Sequence, residues 1–158
     1  MLTRHKVTEC RFLRVNYESM VDWRLHTDYL RCSPQFFGTP RFDCVFIQMT
    51  DEKVILGRLL FLFECPVGSH TFPGPLALVH PFDAATGVRL RKDKDLGLFR
   101  VRARPRAEAQ FIPLRSVIRG ALLVQDGHFD FLVVDTVNSD MFLQVKKMHL
   151  EAGHLIRI

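Results

Sequence analysis

Arginines at alternate positions, Arg100, Arg102 and Arg104, are the residues whose type and spacing point most directly to chemistry. On an extended strand, side chains two apart share a face and stand roughly 6.6–7 Å from one another. The intervening Phe99, Val101 and Ala103 would face the other way, which suits a core. Each guanidinium can fork onto phosphate oxygens, so such a comb could follow a phosphate backbone. Arg89, Arg91, Lys92, Lys94 and Arg106 flank it. Residues 86–106 hold eight basic side chains against Asp93 and Asp95, whereas the rest of the chain holds 14 basic and 15 acidic ones. The whole positive excess, +5 at pH 7, therefore lies in one stretch. Contact with phosphates through it would be salt-sensitive and largely independent of base sequence. The same pattern also fits a solvated edge strand whose arginines discourage sheet pairing, with Asp93, Asp95 and Glu108 near enough to pair with them.

Other constellations point less clearly. Asp126, Asp130, Asp135 and Asp140 fall close together, and two carboxylates could hold Mg²⁺ for phosphodiester cleavage. Their setting, including Thr136-Val137-Asn138-Ser139, is equally that of ordinary turns. Tyr17, Trp23, Tyr29, Phe36, Phe37 and Phe42 cluster in the first third, where a cage for a methylated lysine would need two or three rings on one cavity. Packing of an N-terminal segment explains them as well. The seven histidines and four cysteines give neither His-x-x-x-His nor Cys-x-x-Cys, so no structural metal site is expected. Gly-x-Ser-x-Gly and the Gly-Lys-Ser/Thr phosphate loop are missing, and the expectation is no catalytic residue and no cofactor.

The elements that must position these residues are mostly strands. Phe42–Met49 and Val54–Cys65 predict a hairpin across Thr50-Asp51-Glu52-Lys53. In its second strand, period two sends Ile55, Gly57, Leu59, Phe61, Phe63 and Cys65 to the core and leaves Leu56, Arg58, Leu60, Leu62 and Glu64 nearer water. Gly68–Pro75 reads as a turn and Leu76–Phe82 as a strand. Leu96–Arg104 is extended, stopped by Pro105. Phe111–Val124 is an interrupted apolar run. Gln125-Asp126-Gly127-His128 is the clearest turn, since Asp-Gly supplies positive φ. Phe129–Val137 and Met141–Val145 complete the strands. A short helix is expected near Glu18–Leu30. This gives a mostly β fold: a small barrel of about six to eight strands at 41–146, an N-terminal arm at 1–40 with at most a short helix, and a tail at 147–158.

With 158 residues, 47% of them hydrophobic, the chain can bury a core without staples. Its longest apolar run, Leu59–Phe63, is far short of the roughly 20 residues that span a bilayer. Met1–Lys6 lacks the apolar centre of a secretory signal. Cys44 lies in an apolar run, as does Cys65, and Asn-x-Ser/Thr is missing. The expectation is a reduced, intracellular and nuclear protein with no membrane partner.

Two resemblances accompany these features. Val15–Arg24, Asp28–Cys32, Leu76–Phe82, Arg100–Arg106, Ile118–Val124, Phe131–Asp135 and Asp140–Leu143 together resemble a region of fungal transposon-associated proteins of the Plavaka-like type, over roughly residues 15–149. No activity follows from that likeness, although it implies a piece without the transposase catalytic core. The order of a core strand pair, Leu78–Phe82, a basic stretch and Phe111–Gly120 also resembles the bromo-adjacent homology (BAH) module of chromatin proteins. That likeness implies an SH3-like barrel. Asp83-Ala84-Ala85 replaces the module's Arg-Pro-Glu, so its histone-binding cage does not carry over. The resulting expectation is a non-catalytic module contacting DNA, RNA or an acidic chromatin protein through residues 89–106. A protein-interaction or oligomerisation domain built on exposed Phe is the alternative, and a metal-dependent nuclease using Asp126–Asp140 the third.

Overall fold

A computed structural model describes residues 7–64, 74–83 and 91–155. Cys65, Arg89 and positions 68–73 of the expected turn lie outside them. The described residues form thirteen strands and one α-helix: nine strands lie within 41–146, where six to eight were expected, and four lie in or at the edge of the expected arm at 1–40. The first part of the chain gives β1 (Thr8–Cys10), β2 (Phe12–Glu18), β3 (Leu25–Phe36) and β4 (Thr39–Phe42). Then come β5 (Cys44–Thr50), β6 (Lys53–Glu64), β7 (Leu76–Pro81), β8 (Arg91–Lys92) and β9 (Phe99–Arg102). β10 (Gln110–Pro113), β11 (Val117–Ala121), β12 (Leu123–Gln125), β13 (Asp130–Val133) and α1 (Ser139–Leu155) complete the set. They make three sheets: β10–β7–β6–β5–β11 with β1 also on β6, then β12–β13–β9–β8, and β2–β3–β4.

The first sheet is buried on both faces, because β5 and β6 are apolar at successive positions. One face, with Val45, Ile47, Ile55 and Leu59, packs against Val15, Leu30 and Cys32 of the β2–β3 hairpin. The other, with Phe46, Val54 and Leu56, packs against Val101, Phe131 and Val133 of the second sheet and against Met141, Val145 and Met148 of α1. The expected β5–β6 hairpin forms, closed at Thr50 and Lys53. The expected division of β6 does not hold. Leu56 is as buried as Leu59, because the second core covers its face of the sheet, and Leu62 joins the first core because the register against β7 shifts between Leu59 and Phe61. A bulge of this kind exchanges the faces of the residues beyond it.

Two further expectations are corrected. Glu18–Leu30 is a hairpin, with Glu18 opposite Leu25 and Phe12 opposite Arg31, and contains no helix. A turn organised by Ser19 reverses the chain: its Oγ accepts the Val21 and Asp22 N–H groups at 3.1 and 3.2 Å. Met141–Val145 is helical, not a strand. The Asn138 side-chain carbonyl accepts the Met141 N–H at 2.8 Å, capping the helix, and Met141, Val145 and Met148 recur on one face.

Candidate functional site

β9 carries the arginine comb in the second sheet. As expected, Phe99, Val101 and Ala103 pack toward the core. The arginines face outward, and the chain itself provides their partners. Arg100 Nη2 donates to Asp126 Oδ2 at 2.7 Å and to Asp93 Oδ2 at 3.2 Å. Arg102 Nε donates to Asp130 Oδ1 at 3.0 Å, directly across the β9–β13 ladder. Arg104, just past the strand end, forks onto Glu108 at 2.6 and 2.9 Å. Hydrogen bonds to Asp126, Asp130 and Glu108, in that order, hold the three guanidinium pKa values above the ordinary one. Asp93 is held low, first by the Leu96 N–H and then, after opposing desolvation, by Arg100. Lys92 Nζ lies 5.5 Å from the Phe99 ring centre, Lys94 and Arg106 are exposed, and the Arg91 backbone pairs with Arg100.

The four aspartates do not make a metal centre. Asp126 and Asp130 serve the arginines, Asp140 accepts Ser19 Oγ and the Met20 N–H at 2.7 Å each, and Asp135 is buried apart from them. Among the described residues no three His, Cys, Asp or Glu side chains converge. His80 Nε2 lies 2.6 Å from the Arg104 carbonyl, and His26 lies 3.1 Å from Asp22. Cys32 and Cys44 are buried free thiols. Burial pushes the Cys32 pKa up to about 11 and raises that of Cys44 as well.

The aromatic residues of the first third form no single cage. Tyr17 lies beneath Arg119, whose guanidinium carbon is 4.1 Å from the ring centre. Trp23 stands at the hairpin tip. Phe42 packs against the first core. Tyr29, Phe36 and Phe37 help to organise a surface that sequence reasoning missed. On the outer face of β2–β3–β4, Tyr29 stacks on Phe12 at 5.9 Å with the rings 16° apart. Arg31 lies 4.4 Å from the Phe12 ring centre and 5.1 Å from that of Phe36, and Arg41 lies 4.9 Å from that of Phe36. Phe37 meets Phe36 edge-on at 4.6 Å and is 91% exposed.

The hairpin register generates this order. Antiparallel partners point the same way, so Phe12 opposite Arg31 and Arg14 opposite Tyr29 share one face. Leu13, Val15, Leu30 and Cys32 turn inward. Tyr29 is 60% exposed, and Arg41 alone of the ladder's two arginines has a carboxylate, Asp43, at 3.1 Å. Among the described residues neither Arg14 nor Arg31 has an ion-pair partner; Arg31 is instead held by rings, a cation–π arrangement. The legible signal was Phe12-x-Arg14 and Tyr29-x-Arg31 on two strands that face each other.

Comparison of the chain with protein-family models, curated proteins and solved structures finds no match. No helix among the described residues is long and apolar enough to cross a membrane.

Proposed function

We propose that this protein is a non-catalytic binding module for nucleic acid, and that its principal contact is the outer face of β2–β3–β4, not the β9 comb. The single observation that supports this is the continuous stack Tyr29–Phe12–Arg31–Phe36–Arg41. Exposed rings offer flat surfaces to unstacked bases, while guanidinium planes serve both as stacking partners and as phosphate donors. A duplex hides its base faces, so the ligand class is single-stranded DNA or RNA. The comb has a secondary role: its arginines must exchange a carboxylate for each phosphate they contact.

The finer fold reading, a BAH-like or SH3-like barrel, and a nuclear, transposon-derived origin belong to the same proposal. They rest on the resemblances of sequence. Protein interaction through the exposed rings is a second reading, supported by Phe37; concentration-dependent sedimentation without nucleic-acid binding would favour it.

Fluorescence anisotropy of labelled single strands and duplexes, from low to physiological salt, tests the proposal. Tighter binding of single strands, lost on replacing Phe12 and Tyr29 by Ala, is the expected result. A preference for duplex that survives those replacements and vanishes in the Arg100, Arg102 and Arg104 alanine triple would return the function to the comb.

A further inference from the structure

Beside the hairpin, between β2, β11 and the start of α1, lies a cleft of about 410 Å³ that the proposed sheet contact does not use. Three polar residues in its wall are more than nine-tenths buried: Ser19 at 1% exposure, whose hydroxyl donates to Asp140, Arg119 at 4% and Gln144 at 7%. Arg119 is fixed from below by the Tyr17 ring and from the side by Asp28, whose Oδ2 is 3.6 Å from Nε. Asp28 is itself held by the Gly120 N–H at 2.9 Å. A Cβ at Gly120 would come within 2.8 Å of Leu30 Cδ2 and 3.3 Å of Asp28 Oδ2, so glycine is what lets the carboxylate sit there. Nε is sealed without a hydrogen-bond partner. Among the described residues the outer nitrogens of Arg119 and the Gln144 amide make no hydrogen bond either, which leaves their polar ends for an occupant.

The lip is equally built. Trp23 lines the cleft, is 73% exposed and has φ of +60°, a conformation a bulky side chain rarely adopts. Strain of this kind persists only where surrounding bonds enforce it. Here Ser19 accepts the Trp23 N–H through its carbonyl at 3.1 Å and donates its own N–H to the Arg24 carbonyl at 2.8 Å. Asp22 accepts the Arg24 N–H at 2.9 Å.

Charge selects among occupants. Arg119 is offset by Asp28, Lys147 has an interaction of its own, and the wall adds Glu18 and Asp140. Such a cleft offers no net attraction to a free phosphate. It suits a neutral, planar ligand with two adjacent acceptors for the arginine fork, donors for a carboxylate or amide, and a face for tryptophan. We infer that it holds one unstacked guanine base, with O6 and N7 accepting from Arg119, the pairing by which arginine most often reads guanine. The volume is within the usual range for small-ligand sites. The inference rests on the single-strand reading, to which it adds recognition of one base.

Trp23 is the only tryptophan, so its fluorescence reports on this cleft. Titration of the full chain with guanosine, adenosine and uridine monophosphates, and with inorganic phosphate, tests the assignment. Guanosine monophosphate should give a saturable change, at least about tenfold tighter than the other two nucleotides, and phosphate none. Arg119→Lys, which keeps charge but loses the fork, should abolish the preference, and Gln144→Ala should weaken it. If Arg119→Lys does not fold, the base ranking and Gln144→Ala decide. Equal response to all nucleotides, a response to phosphate, or no saturable response would overturn the base site. Phe12→Ala with Tyr29→Ala should weaken single-strand binding and leave guanosine monophosphate binding in place. In the unsubstituted chain, guanosine monophosphate binding without single-strand binding would remove the sheet contact alone. Single-strand binding without base preference, with Trp23 unmoved by mononucleotides, removes the cleft alone.

Discussion

Two groups of arginines sit on strands of this protein and meet opposite company. Arg100 and Arg102 on β9, with Arg104 beyond it, face Asp126, Asp130 and Glu108 at 2.6–3.0 Å. Arg31 on β3 faces the rings of Phe12 and Phe36 instead. In the first group the charge is consumed locally, and a ligand phosphate must displace a carboxylate already in place. In the second, no acid among the described residues pairs with the Arg31 guanidinium, which lies against rings that a base can extend. Density of positive charge along a sequence is therefore a poor guide to available charge on a surface. The partner strand decides.

The difference can be tested by breaking each side of it. Replacing Phe12 and Tyr29 together by Ala should weaken single-strand binding about ten- to hundredfold, as expected for loss of stacking by one or two bases. Both side chains are exposed, so the melting temperature should move little. Freeing the comb should have a smaller and opposite effect. With Asp126→Asn and Asp130→Asn, the principal acceptors of Arg100 and Arg102 lose their negative charge. Affinity should rise several-fold, and the plot of log K against log salt should steepen by about 0.7 for each phosphate newly contacted. The alanine triple at Arg100, Arg102 and Arg104 should change affinity by less than about twofold. Its effect should be read in thermal unfolding, because Asp126 and Asp130 lose the hydrogen bonds that join the β12–β13 hairpin to β9.

The smallest expected effect is local and depends on pH. Asp93 Oδ1 accepts the Asp95 and Leu96 N–H groups at 3.1 and 2.8 Å, which lowers its pKa below the ordinary 3.8. A carboxyl group whose native pKa is depressed contributes stability above its unfolded value and loses it as pH falls through the native one. The midpoint of the acid-induced shift of the Leu96 amide resonance should therefore lie below 3.8. A midpoint at or above that value would show that Asp93 does not hold the loop.

How much of this was legible follows from the range of each interaction. The β5–β6 hairpin and the Asp-Gly turn were readable because their signals lie within a few residues, and Gly127 has the expected positive φ of +110°. The inward side of β9 was readable for the same reason. The helix was not, because a five-residue window at Met141–Val145 omits Met148, which completes the four-then-three spacing. The face expected to meet water was misassigned at Leu56 because both sides of the sheet are covered, and beyond Leu59 because a bulge leaves alternation in the sequence intact while reversing it in space. For the comb, Asp93 and Glu108 were near enough in sequence to be considered as partners; Asp126 and Asp130 arrive from another hairpin. The ladder escaped notice because a cage was sought among the rings alone, whereas the β2–β3 register interleaves them with arginines.

The bonds from Asp140 to Ser19 and Met20 carry one more consequence, in the order of events. They close a loop of about 120 residues, joining the tip of the first hairpin to the first turn of the last helix. Contacts this distant along the chain form only after the entropy of closing the intervening loop has been met, and topologies rich in them fold slowly. The Ser19 turn that sets Trp23 at the cleft is thereby tied to α1, about 120 residues further along the chain. In refolding from denaturant, the tryptophan signal should trail the backbone circular dichroism, with the sheets forming before the lip of the cleft.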